Sequence, residues 1–384
     1  MLFAGTRQAC MASVDGKTKC WGYNASGQLL LPPASNAACG GGNGNGCRLL
    51  PESIDALAGV RSIAFGDEHV CAVSADGAVR CWGDASFLPE DSAAPCGFHR
   101  KCRYAPTAVS VPRAVDVASG IDASCARTQT GEVYCWGWNE LGEVGDGTTE
   151  GAPCFEGAKK CRMSPVRAHV ANAVQVVMGA RHACARLADG TVRCWGEADS
   201  GQVGDGTAGT PCGDSTCRAE PVLVKGLDHV VSLAAGTVHT CAAQGDGTVL
   251  CWGMNGDGRL GDGTEDGVPC GYKKGGHCRL APVKVAGLTG VVEVAAGLYS
   301  TCARTYDGKV LCWGDALGRG SKAPHLTSPQ PASGVADAVA LRMGETFACV
   351  LGKSGVVTCW GGNTFGQMGD GTIADRPAPT SPKL

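Results

Sequence analysis

The sequence predicts an all-β fold, a seven-bladed β-propeller made of four-stranded antiparallel blades. Cys-Trp-Gly occurs seven times at steps of 47 to 61 residues, and each copy follows another cysteine by ten residues. Each step contains four short segments rich in Val and Ala or in Cys and Trp, separated by glycine turns, and helical periodicity is absent. Repeated four-stranded units of this length are typical of propeller blades. The repeat tryptophans are Trp21, Trp82, Trp136, Trp195, Trp252, Trp313 and Trp360.

Composition excludes several classes of protein. The 384 residues include 59 Gly without the every-third-residue period of collagen. With 33 Lys+Arg against 36 Asp+Glu, a nucleic-acid-coating protein is disfavoured, and we expect no nucleic-acid partner. No apolar run approaches the roughly 20 residues of a membrane span, so we expect no membrane insertion by this chain. We expect a single propeller domain over residues 1–384, acting as a monomer.

The first structural element of each unit is a hairpin closed by cysteines. A turn ending in glycine lies midway between the two cysteines, and counting outward from Asp76 places Cys71 directly opposite Cys81. Facing residues of an antiparallel pair lie within disulfide range. We therefore predict seven hairpin disulfides, pairing Cys10 with Cys20, Cys71 with Cys81, Cys125 with Cys135, Cys184 with Cys194, Cys241 with Cys251, Cys302 with Cys312 and Cys349 with Cys359.

The remaining ten cysteines form closer pairs after the Cys-Trp-Gly strand, each followed by Arg. Zinc knuckles are the alternative to disulfides, but they favour shorter and constant gaps. We predict disulfide-pinned loops, pairing Cys39 with Cys47, Cys96 with Cys102, Cys154 with Cys161, Cys212 with Cys217 and Cys270 with Cys278. All 24 cysteines are then used, which indicates an oxidising compartment and an extracytoplasmic location, whether secreted, periplasmic or at the cell surface.

The combined motif resembles a known repeat family. Gly-x-x-His-x-Cys-Ala precedes the turn, and Asp-Gly-x-Val-x-Cys-Trp-Gly-x-Asn-x-x-Gly-Gln-x-Gly-Asp-Gly-Thr follows, most clearly at residues 236–264 and 344–372. This pattern is similar to the regulator of chromosome condensation repeat, whose members form seven-bladed propellers. The hairpin cysteines depart from the family pattern. Units two and six also lack the Gly-Asp-Gly-Thr turn, and unit six lacks the pinned loop.

The chain ends suggest how the ring closes. Residues 376–379 align with residues 279–282, and residues 2–5 align with residues 294–297. We expect the C-terminal tail to supply the first strand of the blade that the N-terminus completes, so that the terminal segments pair. Some five residues matching 289–293 are absent from this join, so we expect a longer natural precursor.

Catalytic and metal-binding motifs are weak. His69, His182 and His239 occupy one repeat position, where a three-histidine metal site is the alternative to a structural role. Residues 255–258 resemble a calcium loop only faintly, because no bidentate Glu follows at the required distance. No nucleophile elbow, phosphate loop or His-Glu-x-x-His helix occurs. We expect no cofactor, no metal and no catalytic residue.

One set of positions varies although its sequence frame is constant. Two residues after the glycine that opens the Gly-x-x-His-x-Cys-Ala motif, the side chain varies, with six residue types among the seven units. Such variation within a constant frame is how repeat proteins present a binding face. In a secreted bacterial member of the resembling family, a β-lactamase-inhibiting propeller, these turns contact the partner. The predicted partner-binding residues are Arg7, Glu68, Asp122, Arg181, Val238, Tyr299 and Thr346, together with Trp138, an extra tryptophan outside the repeat pattern.

A second candidate surface is the basic pinned loops. Either the Arg that follows each loop pairs with the turn Asp of its own blade, or the loops bind an anionic partner. The basic loop residues are Arg100, Lys101, Lys159, Lys160, Lys273 and Lys274.

These features predict a non-enzymatic binding scaffold that docks a protein or a surface polysaccharide through turns on one face, with inhibition of the partner as one outcome. Preorganised loops lose little entropy on docking. One alternative is a polysaccharide-active or adhesive surface propeller, for which Glu68 and Asp122 are the carboxylate pair to test. Guanine-nucleotide exchange, the activity of the family's namesake, fits an oxidising compartment less well.

Overall fold

The seven-bladed all-β propeller is confirmed by a computed structural model. It describes residues 1–31, 37–40, 45–85, 94–96, 100–154, 159–271, 275–315, 317 and 324–384, with the backbone alone for residues 45, 94–96, 100 and 101. The described strands form seven antiparallel sheets in chain order, and the innermost strand of each sheet contacts that of the next around a central channel. We call these sheets blades 1 to 7.

Blades 1 to 5 share one strand order. The first strand lies innermost, the two hairpin strands follow, a long strand lies outside them, and a strand of two or three residues from the pinned loop adds to the outer edge. Blade 1 contains β1 (Leu2–Ala4), β2 (Gln8–Ala12), β3 (Thr18–Tyr23), β4 (Ala37–Ala38) and β5 (Asn45–Ser53), followed by a 3-10 helix (Asp55–Leu57). Blade 2 contains β6 (Ser62–Phe65), β7 (His69–Val73), β8 (Val79–Asp84), β9 (Ala94–Cys96) and β10 (Arg100–Val109). Blade 3 contains β11 (Ala114–Ser119), β12 (Ala123–Thr128), β13 (Val133–Trp138), β14 (Ala152–Cys154) and β15 (Lys159–Arg167).

The remaining blades continue this pattern, with four strands each in blades 6 and 7. Blade 4 contains β16 (Ala173–Met178), β17 (His182–Leu187), β18 (Val192–Glu197), β19 (Thr210–Cys212) and β20 (Ser215–Leu223). Blade 5 contains β21 (Val230–Ala235), β22 (His239–Gln244), β23 (Val249–Met254), β24 (Val268–Cys270) and β25 (Gly276–Lys284). Blade 6 contains β26 (Val291–Ala296), β27 (Ser300–Thr305), β28 (Val310–Gly314) and β29 (Leu326–Pro331). Blade 7 contains β30 (Ala338–Met343), β31 (Phe347–Gly352), β32 (Val357–Gly361) and β33 (Arg376–Thr380).

The predicted cysteine hairpins are present in all seven blades. Cys71 faces Cys81 in the β7–β8 register, and the Cα atoms of this disulfide are 4.1 Å apart. The turn glycine has a positive φ, 86° at Gly77, which glycine adopts without the strain of a side chain. Disulfides join the predicted partners in all seven hairpins and in four of the five pinned loops. The predicted Cys96–Cys102 bond involves a side chain, that of Cys96, outside the described residues.

The repeat tryptophans form the core between blades, as predicted, and each is at most 4% exposed. The indole Nε1 of Trp252 donates a hydrogen bond to the carbonyl oxygen of Gln202 in the preceding blade at 2.9 Å. Trp82, Trp195 and Trp313 donate equivalent bonds to the carbonyl oxygens of Gln28, Glu143 and Arg259. A buried indole thus links each of these blades to its neighbour.

Closure of the ring differs from the sequence expectation. β33 pairs with β32 of its own blade, with Thr380 opposite Cys359, and β1 pairs with β2. The expected strand shared between the chain ends is therefore wrong, because residues 376–379, like residues 279–282, lie in the outer strand of their own blade and not in the first strand of the next. Blade 1 instead packs against blade 7, where Leu2, Trp21 and Phe347 share one buried cluster.

Candidate binding face

The turn between the first and second strands of every blade places the seven predicted variable residues at one end of the propeller. In each blade the carbonyl oxygen of the variable residue accepts a hydrogen bond from the N–H of the residue that follows Cys-Trp-Gly, at 2.8 to 3.1 Å. We call the set of these paired positions the variable face. The pairs are Arg7 with Tyr23, Glu68 with Asp84, Asp122 with Trp138, Arg181 with Glu197, Val238 with Met254, Tyr299 with Asp315 and Thr346 with Gly362.

The glycine of Cys-Trp-Gly makes this close approach possible. Its φ is between 91° and 118° in all seven copies, a region that side-chain-bearing residues rarely adopt. A Cβ atom on Gly196 would lie 2.5 Å from the carbonyl oxygen of Arg181, and the other copies are equally tight. The backbone of the variable face is therefore fixed while its side chains change from blade to blade.

Sequence reasoning missed half of this face. Of the residues that follow Cys-Trp-Gly, only Trp138 was predicted, because its second tryptophan drew attention. The sequence contains the signal, since the position after the constant Cys-Trp-Gly varies among the units, with Tyr23, Asp84, Trp138, Glu197, Met254, Asp315 and Gly362.

Several variable residues also contact the preceding blade. The Glu68 carboxylate accepts hydrogen bonds from Ser26 Oγ at 2.6 Å and from Gln28 Nε2 at 2.9 Å. The Arg259 guanidinium lies 5.0 Å from the ring centre of Tyr299, which is 41% exposed. These contacts hold the side chains in place before any partner binds. They also occupy the Glu68 carboxylate, one member of the pair suggested for catalysis.

The remaining predicted residues lie on the same face. Asp122 and Val238 are half-buried, and Thr346 is exposed. Arg7 lies between the carboxylates of Asp67 at 3.4 Å and Glu345 at 3.6 Å. Its guanidinium also lies 5.6 Å from the ring centre of Tyr23 and 5.0 Å from that of Phe365.

Between blades 3 and 4 the face carries a carboxylate cluster. The Arg181 guanidinium lies 3.3 Å from the Glu143 carboxylate and 3.7 Å from that of Glu197, and Glu143 is 1% exposed. Burial raises the pKa of both glutamates, and the Asp199 charge helps to raise the pKa of Glu197 to about 7. Gln202 Nε2 donates to Glu197 at 3.2 Å.

Trp138 lies beside this cluster and is half-buried. The guanidinium of Arg181 lies 4.0 Å from its ring centre, and Lys159 Nζ lies 4.6 Å from it. Both distances are within the range of cation–π attraction. The ring is therefore held in a fixed orientation by two cations of the protein itself.

In the one basic loop whose lysine side chains are described, both lysines are paired with acidic neighbours. Lys159 Nζ donates to Glu140 at 3.1 Å, and Lys160 Nζ donates to Glu150 at 2.9 Å. Arg100 and Lys101 are described by backbone alone, and Lys273 and Lys274 lie outside the described residues. The expected pairing of the loop arginine with the turn aspartate is confirmed for Arg162 with Asp146, Arg218 with Asp205, Arg279 with Asp262 and, at the equivalent place in blade 7, Arg376 with Asp370.

The three repeat histidines bridge neighbouring blades. His69, His182 and His239 are fully buried, and each Nε2 lies 2.8 to 2.9 Å from a hydroxyl of the next blade. Burial lowers the pKa of His69 to about 4 and that of His182 to about 3. Neutral histidines bonded in this way have a structural role. Over the described residues, no group of three His, Cys, Asp or Glu side chains has a metal-binding arrangement.

The innermost strands enclose a central channel of about 880 Å³. At its opposite mouth, Glu293 binds Arg304 and Arg342, both at 2.7 Å. The single Glu293 carboxylate thus bridges two guanidiniums, one from blade 6 and one from blade 7. Among the described helices, none has the length and apolar character required to cross a membrane.

Comparison with known proteins identifies the repeat. A model described as "Regulator of chromosome condensation (RCC1) repeat" matches residues 60–87, 114–143, 173–202 and 230–259. A second model of the same description matches residues 130–186, 189–243 and 246–304, so the matches cover more than half of the chain.

Individual relatives agree with this match. The E3 ubiquitin-protein ligase HERC2 of Homo sapiens is 30% identical over 379 residues, which span 92% of this chain but only 7% of the ligase. The crystal structure of human WBSCR16 has a TM-score of 0.76 at 20% identity, covering 96% of this chain and 95% of that one. Yeast RCC1 (Prp20), in a crystal structure with bound Kap60, has a TM-score of 0.71 at 20% identity, covering 90% of this chain and 78% of that one. The two structures show a shared fold.

Proposed function

The chain belongs to the family of regulator of chromosome condensation (RCC1) repeat proteins, and from this premise we propose that it is a non-enzymatic scaffold that binds another macromolecule through the variable face. Propellers of this family bind proteins, as yeast RCC1 does with Kap60. The binding unit would be the whole ring, residues 1–384, acting as one domain. We favour a protein partner over a surface polysaccharide.

The observation that carries this proposal is that the backbone of the variable face is the same in every blade while its side chains vary. Seven equivalent backbone hydrogen bonds fix the paired positions of the variable face, yet no two blades carry the same pair of residues there. A turn with only a structural role would not require a different residue pair in each of the seven blades. Rigid scaffolds with variable tips are typical of binding proteins, because preordered groups lose little entropy on docking.

A second part of the proposal concerns location. Disulfides close all seven hairpins and four described loops, and such a density of bridges favours an oxidising compartment. We therefore place the protein outside the cytoplasm, secreted or at the cell surface. That location disfavours guanine-nucleotide exchange on cytosolic GTPases.

The test compares two matched tyrosines at opposite ends of β27. Tyr299 lies on the variable face and is 41% exposed, whereas Tyr306 lies in the hairpin turn and is 80% exposed. The oxidised protein, Tyr299→Ala and Tyr306→Ala are each immobilised and exposed to a surface extract of the source organism. We expect Tyr299→Ala to lose at least half of the captured partner, with Tyr306→Ala unchanged. Loss with Tyr306→Ala alone would place binding on the opposite face.

A further inference from the structure

We propose that the partner of the variable face is a basic protein, which places an arginine- or lysine-rich segment on the sector between blades 3 and 4. This inference rests on the proposed function, because it specifies the partner of the same face. The sector is defined by Asp122, Trp138, Glu143, Arg181, Glu197 and Asp199. It combines an oriented aromatic ring with carboxylates that outnumber the cations beside them.

The charge of the whole variable face points in the same direction. The chain as a whole carries a formal net charge of −3, yet described acidic residues far outnumber basic ones in the paired positions, the neighbouring turn residues and the loops after Cys-Trp-Gly. The acidic residues are Asp67, Glu68, Asp84, Asp122, Glu140, Glu143, Glu197, Asp199, Asp257, Asp315 and Glu345, and the basic residues are Arg7, Arg181 and Arg259. From the pinned loop of blade 3, Lys159 adds one further cation, which is paired with Glu140.

Within the sector, one guanidinium contacts two carboxylates, and a third carboxylate lies nearby. Arg181 reaches Glu143 at 3.3 Å and Glu197 at 3.7 Å, while the Asp199 charge opposes ionisation of Glu197. Glu197 is shielded from water, its side chain being 14% exposed. A partly desolvated surplus of negative charge is costly for the free protein, and an incoming cation would relieve that cost.

The negative charge of Glu143 is not required by the loop that holds it. Glu143 accepts a hydrogen bond from the N–H of Leu141 at 2.8 Å. Neutral Gln28 and Gln202 make the same contact in blades 1 and 4, each at 2.9 Å. Glutamine therefore satisfies the fold at this position, and the carboxylate at Glu143 adds charge specifically to this sector.

Trp138 supplies the second, independent feature. It is half-buried and already attracts two cations of the protein, Arg181 and Lys159, to within 5 Å of its ring centre. Tryptophan is among the residue types that dominate binding energy at interfaces, particularly beside arginine. The site therefore has an aromatic anchor next to its unbalanced carboxylates, a combination suited to arginine and lysine side chains.

The charge arrangement predicts that binding depends on pH. Glu197 faces Arg181, Glu143, Asp199 and Gln202, and its pKa of about 7 means that it is partly protonated near neutrality. A bound cation favours the ionised form, so affinity should fall as the pH drops through 7. Octa-arginine keeps its own charge over this range, so the pH dependence would report the protein.

The test uses octa-arginine as the probe and octa-glutamate as its control, with the oxidised full chain at low and moderate salt. Binding is followed by tryptophan fluorescence, with Trp138→Phe to assign the signal, and by calorimetry. We expect saturable, salt-sensitive binding of octa-arginine that weakens about tenfold in Glu197→Gln/Asp199→Asn. In Glu197→Gln alone, affinity should no longer fall between pH 8 and pH 6, whereas the protein and the control variant, which both keep Glu197, should show that fall.

The matched control variant is Asp189→Asn/Asp246→Asn in the hairpin turns of blades 4 and 5. It removes the same charge from the opposite face and keeps an acceptor for Thr191 and Thr248. Its affinity should change less than twofold. The inference is overturned if both double variants weaken binding equally, if neither does, or if octa-glutamate binds as well.

Failure here is distinguishable from failure of the proposed function. If Tyr299→Ala loses the natural partner but octa-arginine does not bind the sector, the variable face is a binding surface whose partner is not basic. If octa-arginine binds the sector while the natural partner is lost only with Tyr306→Ala, the proposed function is wrong.

Discussion

The indole Nε1 of Trp21 donates a hydrogen bond to the carbonyl oxygen of Gln367 at 2.7 Å, across the boundary where blade 1 meets blade 7. Trp252 makes the equivalent bond to Gln202 at 2.9 Å across an internal boundary. The closing boundary is thus built like the others, although no strand is shared between the two chain ends. The ring closes through side-chain packing and local hydrogen bonds.

This equivalence predicts that removing the indole at either boundary lowers the free energy of unfolding by a similar amount. Trp21→Phe and Trp252→Phe each remove core volume and the indole donor, so each should lower the free energy of unfolding by about 1–3 kcal/mol. In Trp252→Phe the Gln202 carbonyl keeps its hydrogen bond from Thr240 Oγ1 at 3.0 Å. Urea unfolding under oxidising conditions measures both. If Trp21→Phe has no effect while Trp252→Phe is costly, the first and last blades do not close the ring in solution.

The ion pair between Arg181 and Glu143 predicts that Arg181→Ala lowers the free energy of unfolding, although Arg181 lies in a surface turn. Arg181→Ala leaves the Glu143 carboxylate buried without its cation and should cost about 2–4 kcal/mol at pH 8. Adding Glu143→Gln should recover most of that loss, because glutamine occupies the same position in other blades. Lys160→Ala, which breaks an exposed pair with Glu150, serves as control and should cost less than about 1 kcal/mol. If the double variant is no more stable than Arg181→Ala alone, the assigned pairing of Arg181 with Glu143 is wrong.

Accessibility predicts the order in which the disulfides are reduced. Cys125 and Cys135 are fully buried, whereas Cys212 in the pinned loop of blade 4 is partly exposed. Thiol–disulfide exchange needs access to a sulfur atom. Mild reduction followed by alkylation and peptide mapping should label Cys212 and Cys217 well before Cys125 and Cys135. Equal labelling of both pairs would show that the hairpins open more readily than their burial implies.

The buried histidines predict a loss of stability in acid. The pKa of His182 is lowered to about 3 by burial, while an unfolded histidine titrates near 6.5. The unfolded state therefore gains a proton first, so stability falls as pH decreases from 6.5 towards 3, by about 1.4 kcal/mol per pH unit for this residue. His182→Gln, which copies Gln8 of blade 1, should show a shallower decline between pH 6.5 and 4. An unchanged slope would mean that His182 does not stay neutral when folded.

Much of the fold could be predicted because the repeat fixes local geometry in one dimension. The ten-residue cysteine spacing with a central glycine permits one hairpin register, and Cys125 does face Cys135. Closure of the ring could not be predicted from the repeat pattern. The alignment of residues 376–379 with residues 279–282 is the same for either assignment, and tertiary pairing decides which blade that strand joins.

The candidate site was predicted less completely for a related reason. Variation among the repeats predicted Arg181 as a binding residue. It did not predict that the Arg181 guanidinium would pair with Glu143 of the preceding blade, 38 residues away. Contacts between blades follow from the propeller geometry and not from spacing within a repeat. The raised pKa of Glu197 likewise depends on burial in the folded ring and on Glu143 of the preceding blade, in addition to Asp199 two residues along the chain.

The most direct test of the account is amide hydrogen exchange of the protein alone and in complex with its captured partner. The account predicts new protection at residues 120–122, 138–143, 179–181 and 197–202, which belong to the variable face between blades 3 and 4. The hairpin turns at residues 189–191 and 246–248 should remain unchanged. Protection confined to those hairpin turns or to the pinned loops, with the variable face unaltered, would contradict the central claim.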